Sequence, residues 1–285
     1  MSHFSVLVIT DQQPDDDALA AILQPWHEYE CTGVDDEYVV DVDVTDELVA
    51  DHAKYGEGKP FDEFVEGWSS AEKRDDGRWY HHTNPNAKWD WWVVGGRWSG
   101  LLRLKCGEAP ILGRPGVLGS RASDHPLASD QAMMQDIDID ALRNEAREEA
   151  VTLWDQVHQV TDGLPAIEEW AALRERVGNI EVARAAYWAQ PAVAALKAQF
   201  PNSWSLDDEV DATRRTRDEF GQRAADASLN TFAVVKDGSW FERGKMGWWA
   251  LVSDEKEEGA WTAEFRKLLD GLEPTAWLTV VDCHI

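Results

Sequence analysis

Two apolar segments at opposite ends of the chain constrain the fold more than any other feature. Residues 3–10 read HFSVLVIT and residues 277–285 read WLTVVDCHI. Short runs this rich in apolar and β-branched residues are typical of buried strands. From 138 to about 227 the pattern is helical instead, because apolar residues recur there every three or four positions. We therefore expect one sheet in which the two terminal strands are neighbours, with a helical region inserted between its halves.

The expected fold class is α+β, with a ferredoxin-like split β-α-β sheet built from both chain ends. A chain of 285 residues is long enough to bury a core of this kind. The predicted parts are the N-terminal half of the α+β domain (1–106), an irregular loop rich in Gly, Pro and Ser (107–136), a helical insertion (137–230) and the C-terminal half (231–285).

Short-range signals predict several boundaries within these parts. Gly95-Gly96 are expected to turn a hairpin over residues 89–105, and the Asp-Gly pair at 237–238 is expected to turn a second one. In the helical region, Gly178 is expected to end a helix. Three further residues are assigned to helix boundaries, Asn179 and Ser205 as N-caps and Pro191 as a break.

The charge of the chain excludes some partners. Lys and Arg total 27 and Asp and Glu total 54, which gives a net charge of −27. Such a chain repels the phosphates of duplex nucleic acid and the surface of anionic lipid, so neither is an expected partner. Solubility explains the charge most simply. The alternative is an acidic inhibitor that binds a basic, nucleic-acid-binding protein of the host.

One segment inverts this charge. Residues 73–105, here called the basic segment, carry seven Lys or Arg against three Asp, whereas residues 1–53 carry 14 carboxylates and no Lys or Arg. The basic segment either focuses positive potential on an anion or pairs with the acidic N-terminal residues, and the sequence slightly favours pairing.

Tryptophan is the second unusual feature, with sixteen residues in the chain. Most of them must pack in the core, but neighbouring residues on a strand point to opposite faces, so Trp91 and Trp92 cannot share one. The same argument holds for Trp248 and Trp249. A cleft between residues 88–98 and 245–249 is therefore predicted to bind a small anionic, nucleotide-like ligand. The candidate ligand-binding residues are Lys88, Trp89, Trp91, Trp92, Arg97, Trp98, Lys245, Trp248 and Trp249.

No cofactor is expected. Neither structural zinc nor a disulfide framework is expected, because Cys31, Cys106 and Cys283 have no close spacing. One alternative is a metal site of His3, His284 and Asp282, which would meet if the terminal strands pair. Two weaker alternatives are the adjacent histidines at 81–82 and the alternating carboxylates of Asp136, Asp138 and Asp140, which more simply begin a helix.

Catalytic and targeting motifs are absent from the sequence. It contains no G-x-S-x-G, no P-loop, no G-x-G-x-x-G and no apolar run near 18 residues. Residues 1–10 read as a strand rather than as a signal peptide. The cysteine usage is typical of a reducing cytosol.

Five stretches of the chain resemble a family of phage and prophage proteins. They are MSHFSVLVIT, ECTGVDDEYVVDVD at 30–43, NPNAKWDWWVVGGRWSG at 84–100, FAVVKDGSWFERGKMGWWALVSDEK at 232–256, and LTVVDCHI at 278–285. The resemblance implies a viral accessory protein in the cytoplasm of a bacterial host, where such proteins sequester nucleotide signals or block host defence. It assigns no catalytic residue.

Three functions follow as hypotheses. The first is a binding protein that holds a nucleotide-like ligand in the Trp- and Arg-lined cleft and counters host defence. The second is a hydrolase or transferase that acts on such a ligand with His or carboxylate groups near the same cleft. The third is the acidic inhibitor, which depends on charge alone.

Overall fold

The computed structural model describes residues 2–114, 123, 125–203, 205–247, 251–257 and 259–285. Its strands are β1 (His3–Thr10), β2 (Val40–Asp43), β3 (Glu72–Lys73), β4 (Trp79–Thr83), β5 (Trp91–Val94), β6 (Leu102–Arg103), β7 (Ala128–Ser129), β8 (Gln131–Met133), β9 (Ala233–Lys236), β10 (Ser239–Glu242), β11 (Lys245–Met246), β12 (Val252–Ser253) and β13 (Trp277–His284).

Its α-helices are α1 (Asp16–Leu23), α2 (Tyr29–Thr32), α3 (Thr45–Tyr55), α4 (Phe61–Trp68), α5 (Ile139–Thr161), α6 (Trp170–Val177), α7 (Ile180–Trp188), α8 (Pro191–Gln199), α9 (Asp207–Ala212), α10 (Arg217–Ala227) and α11 (Ala260–Asp270). The chain divides into two compact units. Unit 1 combines residues 1–137 with 231–285, and unit 2 covers 138–230. The fold is thus α+β, as the sequence predicts.

The main sheet of unit 1 joins strands from both ends of the chain. Its order is β10-β9-β1-β13-β5, and β8 also pairs with β13. Strands β1 and β13 are antiparallel over eight residues each, from His3 opposite His284 to Thr10 opposite Trp277. This confirms the predicted pairing of the terminal strands. The sheet is mixed, because β1 and β9 run parallel.

The two faces of β1 have different chemistry, because successive side chains point to opposite sides of a strand. Phe4, Val6 and Val8 pack in a buried cluster with Leu19 and Leu23 of α1, and we call this side of the sheet the core face. His3 and Ser5 lie on the other side, here called the histidine face.

The hairpin predicted over residues 89–105 is wrong. Strand β5 pairs with β13, and β6 pairs with β7. The glycine-rich loop that follows β5 instead packs against two buried carboxylates. An added Cβ at Gly95 would lie 2.2 Å from Oδ2 of Asp130, and one at Gly96 would lie 2.4 Å from Cβ of Asp282. Glycine is therefore required here for close packing rather than for a two-residue turn. The second predicted hairpin, β9-β10, is confirmed.

A smaller sheet of unit 1 has the order β2-β4-β3 and contains part of the basic segment. Arg74 bonds to Asp41 at 2.9 Å, and Arg78 forms an ion pair with Asp43. Phe64, Trp79 and their neighbours form the apolar cluster of this region. For these two arginines, pairing with the acidic N-terminal residues is confirmed.

Unit 2 is helical and has its own apolar core, which includes Val157, Val193 and Leu196. The sequence predicts several of its boundaries correctly: Gly178 ends α6 in a left-handed conformation, Asn179 caps α7, and α8 begins at Pro191.

The N-cap predicted at Ser205 is wrong. The residue before α9 is Leu206, which has a φ of 60°. A buried leucine side chain, 1% exposed, fixes this position in place of a polar cap. The capping box of unit 2 lies at Thr216 and Glu219, at the start of α10. Across the described part of the chain, no helix combines the length and the apolar character needed to cross a membrane.

Candidate functional site

A small pocket on the core face contains two of the predicted ligand-binding residues. Its volume is about 260 Å³, and we call it the aromatic pocket. The apolar part of its lining comes from β1, β10 and β11, from the residue before β9, and from two residues of the segment before Lys88. The polar part comes from two lysines and one glutamate. The residues used below are Phe4, Phe232, Trp240, Met246, Lys88, Glu242 and Lys245.

Both lysines of the aromatic pocket have carboxylate partners. Nζ of Lys88 donates to Oε1 of Glu242 at 2.8 Å, and Nε1 of Trp240 donates to Oε2 of the same carboxylate at 2.8 Å. Nζ of Lys245 lies 2.6 Å from Oδ2 of Asp254, and this hydrogen bond raises the pKa of Lys245 above its ordinary value. Glu242 therefore fixes the positions of the indole and of the Lys88 ammonium group.

The other predicted residues do not line this pocket. Trp89 is a core residue, only 6% exposed, and its Nε1 donates to the carbonyl of Leu23 at 2.9 Å. Trp92 is half-buried and packs against the core-face cluster. Trp98 is also half-buried. Trp248 and Trp249 lie outside the described residues.

Trp91 and Arg97 lie near the histidine face. Trp91 is 39% exposed, and its ring centroid is 6.4 Å from that of His3. The side chain of Arg97 is exposed, and no ion pair links it to a carboxylate among the described residues. Trp91 and Trp92 thus separate to opposite faces, as the sequence requires. Their predicted contacts with a ligand stay predictions.

His3 and His284 form a pair of neighbouring imidazoles on the histidine face. They are direct register partners on β1 and β13, with ring centroids 4.9 Å apart and planes at 69°. We call these two residues the histidine pair. Because Trp91 is the register partner of His284 on β5, it extends the same row across a third strand.

Each imidazole of the histidine pair has its own carboxylate partner. Nδ1 of His3 lies 2.8 Å from Oδ1 of Asp282, and Nδ1 of His284 lies 2.6 Å from Oδ1 of Asp90. The other oxygen of Asp282 accepts the backbone N–H of Arg97 at 2.9 Å. An ionised carboxylate only accepts hydrogen bonds, so each Nδ1 carries the proton and each Nε2 of a neutral ring has a free lone pair.

Nε2 of His284 is the chemically unusual atom of the site. It is buried, and it has no hydrogen-bond partner among the residues that the structure describes. Leaving such an atom unsatisfied costs about 1–3 kcal/mol, and the groups that can satisfy a buried lone pair of this kind are an ordered water or a bound ion.

The sequence correctly brings His3, His284 and Asp282 together, but it assigns Asp282 the wrong role. Asp282 supports the His3 ring through Nδ1 rather than offering a separate ligand position. Asp90 was not predicted. Its position follows from the register of β5 against β13, because its backbone N–H bonds to the carbonyl of His284 at 2.9 Å.

The weaker metal alternatives have ordinary structural partners. Nε2 of His81 lies 2.7 Å from Oγ of Ser69. Nδ1 of His82 lies 2.9 Å from Asp41, and this hydrogen bond raises the pKa of His82. Asp138 caps α5 by accepting the N–H of Ala141 at 2.9 Å, as its simpler interpretation predicts.

A second group of ligand-type atoms surrounds Cys31. One atom each from Glu28, Cys31 and Asp90 lies within 4.8 Å of the others. A hydrogen bond to Glu28, burial and the nearby carboxylates raise the pKa of the Cys31 thiol to about 11. Sequence reasoning missed this group because Asp90 is distant from Glu28 and Cys31 along the chain, and a glutamate three residues before a cysteine is no metal-site signal by itself.

A larger cavity of unit 1 has the wrong charge for an anion. It measures about 680 Å³ and is lined by Asp15, Asp16 and Asp17 at the start of α1, together with Gln131. Asp15 caps this helix by accepting the N–H of Ala18 at 2.9 Å. Three carboxylates repel an anionic ligand, so the aromatic pocket is the better candidate.

Comparisons of the chain with family models, curated proteins and solved structures find no match.

Proposed function

We propose that unit 1 binds a small anionic ligand with a planar ring, of the nucleotide class, in the aromatic pocket. The observation that carries the proposal is the combination of aromatic walls with two lysines, Lys88 and Lys245, in one pocket of a chain whose net charge is −27. Ring stacking and charge-assisted hydrogen bonds are complementary ways to hold such a ligand.

The size of the pocket limits how the ligand lies. Pockets for drug-sized ligands usually measure about 300–1,000 Å³. At about 260 Å³, the aromatic pocket accepts the ring and leaves the anionic group outside, beside the lysines. A lysine ammonium group has three N–H donors, so Lys88 keeps its bond to Glu242 while donating to the ligand.

The energies fit a ligand of moderate affinity. Stacking on an aromatic side chain contributes about 1–3 kcal/mol per base. Micromolar binding corresponds to about −8 kcal/mol, so the ring and both lysines must act together.

The biological part of the proposal comes from the resemblance to phage and prophage proteins. On this proposal, the protein is a phage accessory protein that sequesters its ligand in the cytoplasm of a bacterial host and thereby counters host defence. The pocket itself supports only the binding step.

Calorimetry against mono-, di- and cyclic nucleotides tests the binding step. We expect micromolar binding of at least one compound, about tenfold weaker in Lys88→Gln and in Lys245→Gln, and unchanged in the control Lys73→Gln. Lys73 is paired with Asp62 in the smaller sheet, away from the aromatic pocket. The sequence predicts weaker binding in Arg97→Ala, whereas a ligand held only in the aromatic pocket predicts unchanged binding, because Arg97 does not line that pocket. Failure of every nucleotide to bind contradicts the proposal and favours the acidic-inhibitor hypothesis.

A second candidate function, a hydrolase or transferase acting on the same class of ligand, is supported by the histidine pair. A neutral imidazole whose Nδ1 is held by a carboxylate is suited to general base catalysis at Nε2. Because Phe4 of the aromatic pocket and His3 are adjacent on β1 and point to opposite faces, this enzyme would bind its ligand on the histidine face rather than in the aromatic pocket. Chromatography of the recovered nucleotide separates the two functions, because an altered ligand indicates an enzyme.

The ferredoxin-like description of the main sheet also stays a proposal. It is supported by β1 and β5, which run parallel with β13 between them, since β13 is antiparallel to both. In a split β-α-β motif two parallel strands are likewise separated by a third strand that runs between them. The segment that connects β1 to β5 contains α1. The parallel pairing of β1 with β9 is an additional feature of this sheet that the ferredoxin-like motif does not account for.

A further inference from the structure

We propose that the histidine pair binds one divalent transition-metal ion of the Zn²⁺ class through the Nε2 atoms of His3 and His284. The site lies on the opposite face from the aromatic pocket, so this inference is independent of nucleotide binding. Three features of the pair carry it.

The first feature is the separation of the rings. Zinc binds imidazole nitrogen at about 2.0–2.1 Å in tetrahedral geometry, which places the centroids of two rings sharing one ion roughly 5 Å apart. The observed separation is 4.9 Å, with the planes at 69° to each other. The observed separation of the ring centroids therefore matches the separation that one shared ion requires.

The second feature is the pair of supporting carboxylates. Histidines that bind metals almost always donate the other ring N–H to a carboxylate, a carbonyl or water, which fixes the tautomer and makes the ligand nitrogen more basic. Both members of the pair have this support, from Asp282 and Asp90. Because the carboxylates hold both Nδ1 atoms, the Nε2 lone pairs of two neighbouring rings are left for one cation.

The third feature is the unsatisfied atom. Nε2 of His284 is buried without a partner among the described residues, although its ring is fixed through Nδ1. An ion bound at this atom satisfies it. The chemistry of the donors selects the metal, because imidazole suits zinc and its transition-metal neighbours, whereas calcium and magnesium require oxygen ligands. Two protein ligands leave the remaining coordination positions to water or to a bound substrate.

The experiment uses untagged full-length protein that has been treated with a chelator and then titrated with ZnCl₂ in a calorimeter. We expect one Zn²⁺ per chain. The His284→Ala and His3→Ala variants should each bind at least about 100-fold more weakly, since losing a ligand exceeds the 10–100-fold effect of losing a supporting group. His125→Ala, at an exposed position, is the matched control and should bind as the parent does.

A second arm distinguishes the histidine pair from the atoms around Cys31. Cysteine thiolate bound to Co²⁺ gives an intense charge-transfer band in the near ultraviolet, whereas imidazole does not. We expect Co²⁺ to bind without this band, and Cys31→Ser to leave the affinity for Zn²⁺ unchanged. A thiolate band, or loss of binding in Cys31→Ser, overturns the proposed site.

A third arm needs no variant and therefore does not depend on the variants folding. ¹⁵N spectra of the imidazole side chains of the parent protein report the state of each ring nitrogen. On adding Zn²⁺ we expect two histidines with a metal-bound Nε2 and a protonated Nδ1. Absence of stoichiometric Zn²⁺ binding, or histidine signals that do not shift, contradicts the proposal.

Discussion

Asp130 shows how one buried carboxylate can organise a whole loop. It is fully buried, and its two oxygens accept hydrogen bonds from the hydroxyl of Ser99 at 3.0 Å and from the backbone N–H groups of Gly100 at 2.5 Å and Gly113 at 2.8 Å. Hydrogen bonds to a charged group are individually stronger than neutral ones. The glycine-rich loop after β5 is therefore held mainly by Asp130 and Asp282.

We expect Asp130→Ala to lower the free energy of unfolding by about 3 kcal/mol, because three donors lose their acceptor in a buried place. Urea denaturation of the variant and its parent measures this difference. Asp75→Ala, at an exposed turn, is the control and should change stability by less than about 0.5 kcal/mol. Equal stability of the two variants would show that the loop is held by other contacts.

Cys31 gives a pH-dependent prediction at the same scale. Its pKa is raised from 9.0 to about 11, first by the hydrogen bond to Glu28, which stabilises the protonated thiol. At pH 8 the thiolate fraction is therefore about 100-fold smaller than for an unshifted thiol, and only the thiolate is nucleophilic. We expect alkylation of Cys31 by iodoacetamide to be correspondingly slow and to accelerate up to about pH 11.

Mass spectrometry of the Cys31 peptide, in the presence of a chelator, follows this reaction. Glu28→Gln should accelerate it at pH 8, because the pKa falls when the acceptor loses its charge. Glu30→Gln should have a smaller effect, since Glu30 is the weakest of the named causes. A rate independent of Glu28 would contradict the assignment.

The site could be predicted from the sequence only where strand register determines it. His3 and His284 are neighbours because the two terminal strands, which the sequence identifies, pair antiparallel along their whole length. The alternation of side chains along β13 then places Asp282 on the same face as His284. Asp90 and Cys31 could not be predicted, because Asp90 reaches the site through the pairing of β5 with β13, which the predicted hairpin over 89–105 excluded, and Cys31 lies in a four-residue helix that is too short for a periodic signal. Lys88 and Lys245 both line the aromatic pocket, whereas Trp89 belongs to the core because its N–H donates to a buried carbonyl.

At the scale of elements, local chemistry predicts a helix or turn well when the residue acts on its own backbone. Asn179, Gly178 and the Asp-Gly turn at 237–238 are of this kind. The prediction of a hairpin over 89–105 was wrong because its two strands pair with strands that are distant along the chain, β5 with β13 and β6 with β7. The cap at Ser205 failed because burial of Leu206 determines the start of α9.

The capping box at Thr216 gives a prediction for unit 2. The N–H of Thr216 donates to Oε2 of Glu219 at 2.9 Å, and its hydroxyl oxygen accepts the N–H of Glu219 at 3.3 Å. We expect Thr216→Ala to destabilise unit 2 by about 1–2 kcal/mol. Thermal denaturation followed by far-ultraviolet circular dichroism measures the loss.

Thr152→Ala is the matched control for this prediction. Thr152 lies within α5, where its hydroxyl bonds back to the carbonyl of Glu148 at 2.8 Å. Such a bond stabilises a helix little, and alanine has the higher helix propensity. The control should therefore be neutral or slightly stabilising, and an equal loss in both variants would argue against the capping box.

At the scale of the whole molecule, charge sets the response to salt. With a net charge of −27, repulsion among like charges opposes the compact state. The ion pairs of the described residues are mostly exposed, and each such pair contributes only about 0–1 kcal/mol. Salt screens both the repulsion among like charges and the attraction within ion pairs. We expect the repulsion to be the larger of the two.

We therefore expect the melting temperature to rise by about 2–4 °C as NaCl increases from roughly 10 mM to 500 mM, across which the Debye length falls from about 30 Å to a few Å. Differential scanning calorimetry at pH 7 measures the change. The same series near the isoelectric point, about 4.5, is the control and should show little rise. A fall at pH 7 would mean that ion pairs dominate.

The position of β13 has a consequence for synthesis on the ribosome. It lies between β1 and β5, yet it follows both of them, and β9 as well, along the chain. Until β13 leaves the exit tunnel, the edges of β1 and β5 are unpaired and open to non-native partners. Unit 2 is made earlier and consists of helices with local contacts, which form quickly. During synthesis the sheet of unit 1 therefore stays incomplete after all of unit 2 has been made, and the unpaired edges of β1 and β5 are exposed to aggregation for that interval.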